Sequence, residues 1–256
     1  MLKAILARWR QKHRTIGYPD GPAPAMEARF RGRPVLHPER CPGECARCAE
    51  VCPTQAIRAA SGRCELDVGR CLFCNECTAA CSAGAIEFSR DHQLASRTRE
   101  ELVMSDQPYP SIQPLEDSLR SLFGRSLKLR QVSAGGCNAC EADCNVLTTV
   151  GWDISRFGIQ FVASPRHADG LLVTGPVTAN MKLALRKTYD ALSEPRIVIA
   201  SGACAIAGGP YVDHPEVCNG VASVIPVDLF IPGCPPHPLT ILDGLLRLVG
   251  RVGQTA

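Results

Sequence analysis

Eight of the chain's fifteen cysteines are packed into two short runs, Cys41-x3-Cys45-x2-Cys48-x3-Cys52 and Cys71-x2-Cys74-x2-Cys77-x3-Cys81. No other feature so narrows what 256 residues can fold into. Thiols two or three residues apart have the spacing of a metal–thiolate site, whereas a disulfide framework is the habit of short secreted chains. The runs are also copies of each other. CARCAEVCPTQAI (Cys45 to Ile57) recurs as CNECTAACSAGAI (Cys74 to Ile86) at a 29-residue offset, which implies a pseudo-twofold domain. Between the copies Cys64 to Val68 alternates like a strand, as does Ala85 to Phe88 after the second.

The second run matches the bacterial ferredoxin spacing, in which three thiolates wrap one cube and the fourth reaches to the neighbouring cube. The first run has one extra residue before Cys45, where Pro42 and Gly43 could form a turn, and the expected Pro53 after its last cysteine. Exchange of fourth ligands then assigns Cys41, Cys45, Cys48 and Cys81 to one 4Fe-4S cluster, and Cys71, Cys74, Cys77 and Cys52 to a second. Structural zinc sites instead draw paired ligands from two separated elements. The insertion leaves open a labile or three-iron form of the first cluster.

A third set is dispersed along the chain: Gly135-Gly136-Cys137-x2-Cys140, Cys204 in SGAC and Cys234 in PGCPP. Each follows an expected strand, and ligands just past the carboxyl ends of parallel strands converge on one crevice, which predicts a third cluster. Four buried free cysteines are the alternative, but they leave the Gly-Cys and Cys-Pro-Pro settings unexplained. Cys64, Cys144 and Cys218 stay outside this scheme, Cys144 as a core residue.

A hydrophobic fraction of 45% suits a globular chain. The net charge of +3 is uneven: residues 1–40 carry nine Lys/Arg against three Asp/Glu, which leaves about −3 for the rest. Residues 1–13 read as a basic amphipathic helix with Leu2, Ile5, Leu6 and Trp9 on one face, able to lie on a membrane surface or on protein. We expect no secretory signal and no membrane span, hence a reducing cytoplasm and peripheral association at most. The expected organisation is a basic helix and arm (1–40), a two-cluster ferredoxin domain (41–90), an interdomain linker with Pro108, Pro110 and Pro114 (91–125), and a final domain (126–253). In the last, strands at Leu127–Val132, Ile159–Val162, Leu171–Thr174, Ile197–Ala200 and Val224–Leu229 alternate with helices at Cys140–Val150, Thr178–Leu192 and Pro238–Leu248. That alternation is the pattern of an α/β fold with a parallel sheet covered on both faces. No G-x-G-x-x-G after a strand, no G-x4-G-K-[ST] and no nucleophile motif occurs, so electron carriage is the expected chemistry.

ASPRHADGLLVTGPVT, PRIVIASGACAIAGG and VIPVDLFIPGCPPHP resemble the small subunit of energy-converting nickel-iron hydrogenases and its relative in complex I, the 20 kDa subunit. The stretch from the basic helix through FRGRP to Cys81 resembles the two-cluster ferredoxin subunit of formate hydrogenlyase and hydrogenase-4, here fused to the first. Cys137-x2-Cys140 favours the hydrogenase branch, since complex I subunits carry adjacent cysteines there. The resemblance implies a flavodoxin-like domain whose cluster lies proximal to a nickel-iron site on a separate large subunit, with membrane-arm subunits and an electron-donor protein as further partners. It implies no catalytic residue in this chain, no nucleic acid, and a place on the cytoplasmic face of the inner membrane. A complex I type quinone oxidoreductase or a nickel-free relative is the alternative setting. Glu141 is implied as a possible proton relay, or is simply an acid in a helix's first turn. Arg166 and His167 either face the partner interface near the cluster or are simply polar residues at a strand end, the reading favoured for His167, and His237 reads the same way.

Overall fold

The computed structural model describes residues 2–12, 14–42, 45–60, 63–105, 109 and 112–252. Met1 and His13 of the expected first helix, Gly43 of the expected turn, Pro108, Pro110 and Gly253 lie outside the described residues. In chain order the elements are α1 (Leu2–Gln11), β1 (Pro34–Leu36), α2 (Arg47–Glu50), β2 (Ile57–Ala60), β3 (Arg63–Asp67), α3 (Glu76–Ala80) and β4 (Ile86–Phe88). There follow β5 (Val103–Met104), α4 (Asp117–Phe123), β6 (Leu127–Ser133), α5 (Ala139–Val146), β7 (Ile159–Phe161), β8 (Gly170–Thr174), α6 (Ala179–Asp190), β9 (Ile197–Ser201), α7 (Ala203–Ala207), β10 (Leu229–Ile231) and α8 (Pro238–Leu248).

The five later strands form one parallel sheet in the order β10-β9-β8-β6-β7. Numbered within that sheet the order is 2-1-3-4-5, the flavodoxin-like arrangement, whose switch point lies between β6 and β8. The central strands β8 and β9 are buried at every position, as their unbroken runs GLLVT and IVIAS require. Alternate residues feed two cores. Leu172, Ile199 and Ile231 pack under α5 and α8, while Leu171, Val173 and Val198 pack under α6 and α7. All eleven residues of α8 are buried, its charged Asp243 and Arg247 as a pair one turn apart.

The strand expected at Val224–Leu229 begins only at Leu229, because Pro226 has no N–H to give the ladder and residues 221–223 coil into a 3-10 turn. The helix expected to run to Val150 stops at Val146, where the Thr148 and Thr149 hydroxyls donate to the carbonyls three residues back and Gly151 follows.

The cysteine-rich half builds two small antiparallel sheets, β1–β4 and β2-β3-β5. The segment 91–125 is not a free tether. Ser96 pairs with Phe230 beside β10, while Val103 and Met104 add β5 to β3, so one short stretch is stitched into both halves. Arg99 reaches Asp67 on β3 and Arg97 donates to the Asp228 carbonyl at 2.8 Å. The basic arm crosses the same boundary in the other direction. Ile16 donates to the Gly151 carbonyl, Tyr18 is buried against α8 with its hydroxyl on Asp243, and β1 then pairs with β4. Asp243 also accepts from Arg247 at 2.9 and 3.0 Å, a pair that is 1% and 3% exposed. The arm therefore closes a buried polar knot.

Candidate metal–thiolate centres

All the cysteines are free thiols. The two runs close on two separate hollows. One is lined by Cys41, Cys45, Cys48 and Cys81, together with Cys64. The other is lined by Cys52, Cys71, Cys74 and Cys77. Each hollow thus draws its distant member from the other run, the crossing expected of paired ferredoxin cages. The repeat is visible in the hydrogen bonds too: Ala56 N–H donates to Cys52 Sγ at 3.2 Å, and its counterpart Ala85 N–H donates to Cys81 Sγ at 3.3 Å. Phe73 N–H points at Cys71 Sγ at 3.3 Å. Backbone N–H groups aimed at sulfur stabilise thiolate over thiol.

The dispersed set also assembles. Cys137 and Cys140 sit on the loop and first turn after β6, Cys204 at the start of α7 after β9, and Cys234 after β10. The four interact: Cys140 feels Cys204 and Cys234, Cys204 feels Cys234 and Cys137, and Cys234 feels Cys137. Two glycines make room for these sulfurs. A Cβ on Gly202 would stand 2.6 Å from Cys140 Sγ, and one on Gly209 would stand 2.6 Å from Cys204 Sγ. Both have positive φ, at +94° and +57°, so the backbone there suits glycine twice over.

Burial is the first cause that pushes the Cys204 thiol up to about 11 and Cys71 up to about 12, with neighbouring cysteines adding to it. Burial likewise raises Cys140, Cys48, Cys77 and Cys234. A metal bound by these thiols would have to displace their protons. Among the described residues no three His, Cys, Asp or Glu are close enough to grip one metal ion. A cubane asks for wider spacing, since each thiolate binds a different iron. The donor sets, the sulfur-directed N–H groups and the glycine clearances fit such a group.

Neighbouring cages are close enough to act on one another. Cys77 of the second feels Cys64 beside the first, and Cys234 of the third feels Cys74 of the second. An open cleft of about 300 Å³ next to Cys234 is bounded by Phe30, Arg31, Phe73, Asp143 and His237.

Glu141 lies in the first turn of α5 and is buried, with Thr174 on β8 donating to its carboxylate at 2.6 Å. Burial pushes its pKa up, but the hydrogen bonds from Ser133 and Thr174 outweigh that and hold it below the usual range. At rest it is an ionised acceptor tying α5 to the sheet. His237 caps α8, accepting from Leu239 N–H at 3.1 Å, with its ring edge-on to Phe30 and Trp152. Arg166 and His167 are exposed, and Cys144 is fully buried in the core. Cys64 was missed. The alternation of Cys64, Leu66 and Val68, with the latter two buried, was the available signal that its side chain turns inward with them.

A profile of the NADH ubiquinone oxidoreductase 20 kDa subunit matches residues 137–248. Over 136 residues the chain is 42% identical to a probable membrane-bound hydrogenase subunit of Pyrococcus furiosus, covering 53% of this chain and 81% of that protein. The chain belongs to the complex I 20 kDa subunit family. The chain is also similar to an uncharacterized protein of Methanocaldococcus jannaschii, 44% identical over 52% of this chain and 90% of that one, and to formate hydrogenlyase subunit 7 of Escherichia coli. The latter is 40% identical over 56% of each chain. The membrane-bound sulfane sulfur reductase, an archaeal respiratory membrane complex of known structure, contains a chain matched at 33% identity over 53% of this chain and 75% of that one, with a TM-score of 0.46. Members of the 20 kDa subunit family bind an iron–sulfur cluster, and the matched span holds the dispersed cysteine set. Residues 1–136 lie outside the family profile. Among the described residues no helix is long and apolar enough to cross a membrane.

Proposed function

We propose that this chain is the electron-transfer iron–sulfur subunit of a membrane-associated hydrogenase or formate hydrogenlyase type complex, with a two-cluster ferredoxin domain fused ahead of the 20 kDa-family domain. Three 4Fe-4S clusters would be held by Cys41, Cys45, Cys48 and Cys81, by Cys52, Cys71, Cys74 and Cys77, and by Cys137, Cys140, Cys204 and Cys234. The observation that carries this reading is the gathering of the cysteines into cages, two of them built by ligands exchanged between the runs, with Cys74 of the second close enough to act on Cys234 of the third. Bound clusters supply one-electron sites whose potentials are set by hydrogen bonds to sulfur and by solvent exposure.

The chain's own residues do the rest. The N–H groups of Ala56, Phe73 and Ala85 favour the thiolate state, while Leu66, Ile86 and Phe88 keep bulk water from the ferredoxin cages. Relatives named as a membrane-bound hydrogenase subunit and a formate hydrogenlyase subunit support the setting. A large subunit with a nickel-iron site would lie beyond Cys137 and Cys234, which are exposed, with membrane-arm subunits and an electron donor completing the assembly on the cytoplasmic face of the inner membrane. The amphipathic α1 leaves Leu2, Ile5, Leu6 and Trp9 exposed beside Lys3, Arg8, Arg10 and Lys12, a composition suited to an anionic lipid surface.

The test is an iron and sulfide count on the full chain purified anaerobically, followed by reduction with a low-potential donor. About twelve irons per chain are expected from three cubes. About eight or fewer would refute the ligand assignment. The large subunit encoded alongside decides the setting: two C-x2-C pairs able to hold nickel support the hydrogenase type, and their absence would point to a quinone-linked or nickel-free relative.

A further inference from the structure

The cage of Cys41, Cys45, Cys48 and Cys81 has a fifth sulfur. Cys64, on β3 between the two cysteine runs, lines the same hollow as the other four. It is half-buried and, like Cys48 and Cys52, packs against the small core of this half. Its thiol shares that lining with the Cys48 and Cys41 sulfurs. The strand fixes that position. Cys64 is paired with Ala59 on β2, while Leu66 and Val68, two and four residues on, are buried on the same side. A thiol held there by a ladder cannot swing away as a loop cysteine could.

Four thiolates complete a cube, so a fifth sulfur has no iron left to bind. It can still donate its S–H. We propose that Cys64 is a positioning residue that keeps its proton and hydrogen-bonds the Cys48 sulfur, raising the reduction potential of the cluster in that cage. The reason is electrostatic. Reduction adds negative charge to the cluster and its sulfurs, and a donor aimed at one sulfur stabilises the more negative state. No bond to iron forms or breaks and the proton stays on Cys64. The cage of Cys52, Cys71, Cys74 and Cys77 has no fifth cysteine in its lining. This inference rests on the proposed ligand assignment.

The test uses the full chain isolated anaerobically with its clusters, alongside Cys64→Ala and Cys64→Ser, with a potentiometric titration followed by electron paramagnetic resonance. Cys45→Ser identifies the signal of this cage. Cys64→Ala is expected to retain about twelve irons while that signal alone shifts to lower potential. A hydrogen bond worth about a tenfold change in the reduced-to-oxidised ratio corresponds to about 59 mV for one electron. Cys64→Ser, which restores a donor, should recover part of the shift. Three results would overturn the proposal: an unmoved midpoint in Cys64→Ala, a shift of equal size in all three signals, or loss of about four irons that marks Cys64 as a ligand. Fewer than twelve irons in the unaltered chain would strike the ligand assignment itself, which is a separate failure.

Discussion

Gly202 offers a direct way to empty one cage and leave two. It has φ +94° and ψ 154°, a backbone region open essentially to glycine alone. Placing alanine there costs roughly 1–3 kcal/mol in backbone strain. The new Cβ would also sit 2.6 Å from Cys140 Sγ, against a wall that includes Gly233 and Pro236, so the sulfur must move. Overpacking of this kind costs roughly another 1–3 kcal/mol. Together these take about 2–6 kcal/mol from the third cage, which at 1.4 kcal/mol per tenfold weakens its hold on a cluster by at least about thirtyfold. Gly202→Ala should therefore fall from about twelve irons per chain to about eight, losing one paramagnetic signal while the ferredoxin pair keeps its potentials. Gly209→Ala, equally close to Cys204 Sγ, should repeat the pattern. A Gly202→Ala chain with full iron and three unchanged signals would show that Cys140 Sγ is not a ligand facing that glycine.

Asp243→Asn should destabilise the chain by roughly 3–5 kcal/mol, because it leaves the buried Arg247 guanidinium without its counter-charge; a denaturant melt measures the loss, and faster amide exchange at residues 15–18 should accompany it as Tyr18 is released. His92 sits against Asp243, Asp91 and Arg247, and burial outweighs the two acids to lower its pKa below 6.5. Its contribution to stability is therefore present above the ordinary histidine value and lost as pH falls through the lowered one, with a slope of at most about 1.4 kcal/mol per pH unit. Melts between pH 7.5 and 5 should flatten in His92→Gln, and an identical slope in both chains would rule this out. Trp9→Glu should cut co-sedimentation with vesicles rich in anionic lipid, and equal binding would place lipid contact elsewhere.

Sheet and cages were legible in the sequence for different reasons. Buried parallel strands such as Leu171–Thr174 and Ile197–Ala200 read as unbroken apolar runs, and the cysteine spacings carry their own geometry. What failed to show was long-range. Nothing local in Tyr18 says that its hydroxyl will find Asp243, 225 residues away. Pro-containing and polar, residues 91–125 have the texture of a tether, yet Ser96 and Met104 are paired to strands that lie far off in sequence. Cys64 was set outside the cages for a related reason: no second cysteine stands near it along the chain, and only the folded strand carries it into the hollow with Cys48.

Ser96 and Met104 are pinned to different sheets although only eight residues separate them. Even fully drawn out, that span reaches no more than roughly 26–29 Å, and here part of it is coiled into the turn at Glu100–Leu102. A mobile carrier ferries its charge by leaving one dock for another. This polypeptide gives its cysteine-rich half no such freedom, so the gap between the halves is set once, at folding, in every copy made.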